Sequence, residues 1–235
     1  MRRLVAKLFK PGTAGRWVVA GLYYNPISFS AALYRSIIAT KKLTGNYLPI
    51  RVRIGIGQKL KVAVDKKAVV KLFGNLLVNS WGGSTIPSSI SCGAAANLQI
   101  EGDFEIGPDV HIEIMQGAKL TLGGRKYSSG SGITCHSRIM VEKSIAIGYD
   151  CIIAWDVYIS DSNWHEIAGI DRSAPVVIAE HVWISHGVSV LKGAEIPAGC
   201  IVAAKSLVNR AFDKEKALIA GVPAKVARSE VEWTR

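Results

Sequence analysis

Acidic residues are almost missing from the first 70 positions. Asp65 stands alone there against 14 Lys and Arg, whereas residues 71–235 carry 17 acids against 15 bases. The formal charge of +11 therefore resides in the N-terminal third, an asymmetry that speaks of an anionic partner rather than of the fold. Cysteine is sparse: Cys92, Cys135, Cys151 and Cys200 are widely spaced with no CxxC pair. That spacing excludes a zinc site and a small disulfide scaffold and leaves four reduced, mostly buried thiols, as in a cytoplasmic protein. Asn-Gly and Asp-Gly turns are absent, which argues against a run of tight hairpins. A P-loop and a GxGxxG are absent too, so nothing points to nucleotide hydrolysis or dinucleotide chemistry. No segment reads as a cleavable signal. Residues 17–34 carry no charge, but Asn25-Pro26, Gly21, Ser28 and Ser30 interrupt them, and a membrane span is not expected. The preceding MRRLVAKLFK mixes basic and apolar residues as interfacial segments do, so peripheral contact with an anionic membrane face is expected. No nucleic-acid-binding module accompanies the charge, and no nucleic-acid partner is expected.

What the chain does have is a repeat. Ile178, Ile184, Val190, Ile196, Val202 and Val208 fall at every sixth position, and the same period links Ile147, Ile153 and Ile159, and Ile100, Ile106 and Ile112. A helix would show a period of 3.6 and a simple strand a period of 2; six is the signature of a hexapeptide β-helix. Each hexad gives a short strand with one aliphatic side chain pointing into a prism, then a turn, and three hexads make one triangular coil. Small residues follow the aliphatic one at Gly107, Gly148, Ala154, Ala179 and Ala203, where bulk would crowd the corner. The phase slips between Ile112 and Ile147, and the Gly/Ser-rich stretch 123–132 reads as an insertion there. Residues 27–43 read as a helix, with Ile27, Ala31, Tyr34 and Ile38 on one face. The expected organisation is a basic N-terminal segment with a helix over 1–50, a parallel β-helix over 51–212 and a C-terminal tail or short helix over 213–235.

One stretch interrupts the repeat. After Ile159 the next in-phase position is held by His165, and the aliphatic series resumes only at Ile178, so the segment 160–177 projects from the prism as a loop. This loop presents Asp161, Asn163, Trp164 and His165.

The stretch from VVIAEHVWISHGVSVLKGAEIPAGCIVAAKSLVNRAF to IAGVPAKVAR resembles the C-terminal half of the hexapeptide-repeat acyltransferases, and most of all the bacterial polysaccharide O-acetyltransferases. The preceding IIAWDVYISDSNWHEI is similar to their segment that carries the active-site histidine. The resemblance covers roughly residues 100–228. It implies an all-β, left-handed parallel β-helix that forms a homotrimer with active sites in the clefts between subunits, and direct transfer of acetyl from acetyl-CoA to a hydroxyl or amine. The implied acceptor is a saccharide of capsule, O-antigen or exopolysaccharide, and the implied location is the cytoplasm, at the inner face of the cytoplasmic membrane. A small acceptor (an amino sugar, a serine or an antibiotic) and a non-catalytic trimeric scaffold are the alternatives.

Direct transfer needs a general base and donors for the oxyanion. His165 takes the first role, with Asp161 or Asp156 fixing its tautomer. Trp183 is expected at the acetyl or acceptor pocket, and the Ser185 amide as oxyanion donor. Ala203, Ala204, Lys205 and Lys225 match the family's CoA-contacting tail, and Asp156, Asn163, Trp164 and His186 are expected on the acceptor side. The chain departs from the family at Glu166, where proline is usual, and at Ser185-His186, where glycine is usual after Trp-Ile. His181 and His186 are spaced as in the γ-type carbonic anhydrases, but position 145, where a third histidine would stand, is Ile. No metal is expected.

Overall fold

A computed structural model describes residues 26–80, 84–127 and 130–234. The interfacial segment at 1–10, and residues 17–25 of the uncharged stretch, lie outside them. From Val52 onward the chain winds as a three-faced parallel β-helix. Among the described residues its faces are sheets of nine, seven and six strands, and apart from the last strand of the first sheet each pairs in parallel with its neighbours one coil away. We number the faces in the order the chain visits them. Corner 1 joins the first to the second face, corner 2 the second to the third, and corner 3 closes the coil.

The register explains why the period of six is plain only late in the sequence. Val52 pairs with Leu76, Leu76 with Phe104 and Glu105 with Gly132, so each of the first three coils exceeds three hexads. Trp183 pairs with Ile201, which is three hexads on. The early coils are longer because their strands are longer and because residues 79–87 and 125–131 are inserted between strands of the second and third coils. Ser88–Cys92 buries Ile90 and Cys92, and Val110–Ile114 buries Val110, Ile112 and Ile114, where Ser189–Val190 buries Val190 alone. The result is a column of Ile, Leu and Val running the length of the prism. Each such side chain contributes about 1.5–3 kcal/mol when removed from water. The four cysteines are free and buried within this fold, and burial pushes the thiols of Cys92 and Cys151 up to about 11 and about 12.

The corners need a left-handed residue, and corner 1 shows it coil after coil. The residues there are Asp109, His136, Asp156, Gly187 and Lys205, with φ from 50° to 65°, one above the other by register. Tight stacking at corner 3 makes small residues obligatory: a Cβ on Gly148 would lie 2.6 Å from the Ala179 carbonyl carbon.

Helix α1 (Pro26–Thr44) packs against the first strand of all three faces and so covers the open end of the prism. It ends at Gly45, in the left-handed region, whose amide donates to the Lys41 carbonyl at 2.9 Å. The Ser36 and Thr40 hydroxyls accept from the amides of Ile54 and Val52 at 2.9 and 3.0 Å, satisfying an edge strand that would otherwise invite pairing. The buried face is Phe29, Ala32, Ser36, Ala39, Thr40 and Leu43. The stripe singled out from the sequence is the other one: Ile27, Ala31 and Tyr34 face outward, and Ile38 is half-buried. Small hydroxyl and alanine residues face the prism because the helix lies close to its backbone. At the far end the chain forms an antiparallel hairpin, Leu218–Gly221 with Ala224–Arg228, and no helix appears there among the described residues.

Candidate active site

The loop leaves the second face after Tyr158–Ser160 and returns to the third face at Val176–Ile178, both in the fifth coil. Its two arms are clasped. The Asn163 amide donates to the Arg172 carbonyl at 2.9 Å and the Ala174 amide to the Asp161 carbonyl at 3.0 Å, while the tip closes between Ile167 and Ile170. Glu142, on the preceding coil, bonds Ser162 with one carboxylate oxygen and Arg172 with the other. Trp164 takes a left-handed conformation, its amide donating to the Ser162 hydroxyl at 2.9 Å and its indole N–H to the Tyr158 hydroxyl at 3.2 Å. The indole is thereby held against the outer side of the second face. His165 follows directly, exposed and without a hydrogen bond among the described residues.

Asp161 does not orient that imidazole. It is fully buried at the base of the loop. One of its oxygens accepts from the Glu142 amide at 2.7 Å, and the other from the amides of Lys143 and Ser144 at 2.8 and 2.6 Å. Burial pushes this carboxyl up, and the backbone donors oppose the shift. The sequence expectation failed here because a carboxylate close to a histidine along the chain carries no sign of direction; this one turns inward to hold corner 2. Asp156 sits at corner 1, at the other end of the same strand from the loop, and has no contact with His165 either.

Corner 1 gathers a second group. Trp155 is exposed and stacks on His186, with ring centroids 5.4 Å apart and planes at 20°. The Ser185 amide donates to the Val202 carbonyl at 3.0 Å and the Ala203 amide to the Ile219 carbonyl at 2.8 Å. Both belong to the ladder, so the Ser185 amide is not available to an oxyanion. The free amides are one position away: those of Trp155, His186 and Ala204 make no hydrogen bond among the described residues. They form a vertical row, with the Lys205 side chain folded against Gly187 beside it. Trp183 projects from the first face near corner 3, where the C-terminal Trp233 lies 6.1 Å away. Trp233 itself stacks on His181 at 4.2 Å, its indole N–H donating to the His181 carbonyl at 3.2 Å. Lys225 lies on the final strand, exposed.

Within the chain the loop residues (Asn163, Trp164, His165) and the corner 1 residues (Asp156, Ser185, His186, Ala203, Ala204, Lys205) therefore form two groups at opposite ends of the second face. Trp183 belongs to neither. Trp155, Tyr158, Glu142 and Trp233 were missed in the sequence, although Trp155 and Tyr158 could have been found by extending the hexad register to outward positions. A further cluster lies on coils two to four. The Ser89 hydroxyl bonds His111 Nδ1 at 2.7 Å, His111 Nε2 bonds Asp109 at 2.7 Å, and His136 Nδ1 bonds the other Asp109 oxygen at 2.9 Å. The bond from His136 is the main cause that holds the Asp109 carboxyl below its ordinary value; burial opposes it and His111 assists.

No protein-family model matches the chain. The polysialic acid O-acetyltransferase of Escherichia coli O1:K1 / APEC is 29% identical over 146 residues, 59% of this chain and 43% of that protein. WbbJ of Escherichia coli (strain K12), by name a putative lipopolysaccharide biosynthesis O-acetyl transferase, is 33% identical over 116 residues, 43% of this chain and 59% of that protein. The chain thus matches about half the length of these relatives. The solved structure of the polySia specific acetyltransferase NeuO aligns over 78% of this chain and 88% of its own, with 20% identity and a TM-score of 0.49. By its repeat and its coil the chain is a hexapeptide-repeat β-helix, and over part of its length its sequence is similar to these O-acetyltransferases.

Proposed function

We propose that the chain is an O-acetyltransferase that moves acetyl from acetyl-CoA to a hydroxyl of a capsule, O-antigen or exopolysaccharide saccharide, at the inner face of the cytoplasmic membrane. The observation that carries the reading is His165: an unbonded, exposed imidazole on a loop whose two arms are fastened to each other and to the coil. Fixing a base in place while leaving both its nitrogens free is what general-base catalysis asks of a scaffold. The acceptor hydroxyl loses its proton to His165 as its oxygen attacks the thioester carbonyl. The tetrahedral oxyanion is stabilised by a backbone donor, for which the His186 amide is the free candidate. Collapse breaks the C–S bond, and the CoA thiolate takes the proton back from the imidazolium.

These groups meet if two protomers of a homotrimer contribute to one cleft, the loop from one and corner 1 from its partner. The free amides of Trp155 and Ala204, on either side of His186, suit the carbonyls of the CoA arm, and Lys205 and Lys225 its phosphates. Asn163, Trp164 and Asp156 then face the acceptor, with Trp183 bordering the pocket. Among the described residues no helix is long and apolar enough to cross a membrane, and membrane contact in this reading is peripheral.

The test is incubation of the chain with acetyl-CoA and candidate saccharide repeat units, followed by mass spectrometry. A gain of one acetyl group that depends on the protein is expected. Alongside it, acetyl-CoA at 100 times its dissociation constant should stabilise the fold by about 2.7 kcal/mol. The absence of both acetylation and stabilisation would remove the reading.

A further inference from the structure

The covered end of the prism carries features that acetyl transfer does not use. Between helix α1 and the first coil lies a shallow pocket of about 140 Å³, lined by Tyr34, Arg35, Ile38, Lys42, Lys59 and Leu60 among others. Three of these are cations. Arg35 Nε is buried there and makes no hydrogen bond among the described residues, a state that costs free energy unless an acceptor enters. The surroundings are basic and apolar together. Ile27 and Tyr34 are 83% and 67% exposed on the outward side of the helix, and Tyr47, Leu48, Ile56 and Phe73 are exposed around it. Lys41 and Lys42 close the helix, and Arg51, Lys61, Lys66, Lys67 and Lys71 encircle the first coil, with Asp65 as the one acid among residues 26–72. Large exposed apolar side chains set among lysines fit a lipid interface, where the former enter the headgroup region and the latter meet anionic phosphates. A soluble polyanion would use the charge but would have no use for Ile27 and Tyr34.

We infer that this end of the β-helix is a docking face for an anionic phospholipid surface, with a lipid phosphate seated between Arg35, Lys42 and Lys59. The inference rests on the acetyltransferase reading only for its biological sense, and it deepens the peripheral contact named there by fixing an orientation. The prism stands end-on to the membrane. The His165 loop leaves the fifth coil, four coil steps of about 4.8 Å above the first, and the helix between that coil and the membrane adds about 10 Å, so the loop works roughly 30 Å from the lipid. The acceptor class that fits is a lipid-anchored saccharide whose reacting sugar stands off the membrane by that distance, rather than the sugar next to the anchor.

The experiment is flotation of the full chain with vesicles of phosphatidylcholine alone and of phosphatidylcholine containing phosphatidylglycerol, at low and at high salt. A soluble acidic polysaccharide serves as competitor. Binding only to the anionic vesicles, weakened by salt, is expected. Each lysine at a lipid surface contributes about a factor of five, so K42E/K59E should bind at least ~30-fold more weakly, and Tyr34→Ser should lower binding without altering its salt dependence. The distant pair K119E/K214E has the same charge change and should bind as the parent does. Equal loss in both pairs, equal binding to neutral and anionic vesicles, or preference for the soluble polysaccharide over vesicles would overturn the proposal. Acetylation of a soluble saccharide by K42E/K59E separates this from the acetyltransferase reading: it should persist whether or not docking fails.

Discussion

Replacing Asp161 by Ala removes the acceptor of three backbone amides at once. Lys143 is exposed and Glu142 and Ser144 are half-buried, so water can reach one of the three and reaches the other two poorly. Two amides left without partners cost about 1–3 kcal/mol each, and the released carboxylate desolvation offsets part of this. A net loss of about 2–4 kcal/mol follows, which for a chain of this size is a fall in Tm of roughly 5–15 °C. Asp161→Asn should be milder, because the amide can turn its oxygen to the amides of Lys143 and Ser144 while its NH2 meets only the Glu142 amide donor to donor. Thermal melts by circular dichroism, with Trp164 fluorescence as a local report on the loop, measure both variants. If instead Asp161 orients His165, the variants should melt like the parent and lose only turnover. An unchanged Tm with lost activity would refute the structural assignment.

Three further outcomes follow from the same structure. Trp155→Ala removes the stack on His186, worth about 0.5–1.5 kcal/mol; the KM for acetyl-CoA should rise roughly 2–10-fold with little change in Tm. Gly148→Val places a Cβ against the Ala179 backbone at corner 3 and should prevent soluble folding, read by expression and size-exclusion chromatography. The Asp109 carboxyl is held below its ordinary value, so it adds stability above the usual carboxylate pKa of about 4 and loses it as the pH falls through the lower folded value. Asp109→Asn should flatten the decline of Tm below about pH 4 and, apart from a constant offset, leave the profile near neutral pH little changed, in melts run across that range.

Much of this architecture is legible in the sequence where each strand buries a single side chain. From Ile178 to Val208 one aliphatic per hexad is visible by counting, and the loop shows as the gap in the count. The first coils are illegible for a definite reason: more than one inward residue per strand, and coils longer than three hexads, turn a period of six into an irregular alternation. The helix was readable but its orientation was not, because Ser36 and Thr40 face inward to serve edge amides, against the ordinary ranking of buried residues. Site residues divide in the same way. His165 stands out by its place on the loop, whereas the partners of Asp161, the occupied Ser185 amide and the Trp155–His186 stack depend on register between coils, which no local window contains. The free amide one residue beyond Ser185 follows only once the ladder is drawn.

The most direct test of the account is turnover of His165→Ala with acetyl-CoA and an acetylated saccharide identified by mass spectrometry. Since His165 is exposed and makes no hydrogen bond among the described residues, the variant should melt close to the parent, while turnover falls at least ~100-fold, the usual scale of general-base catalysis. Turnover close to that of the parent in a normally folded variant would contradict the central claim.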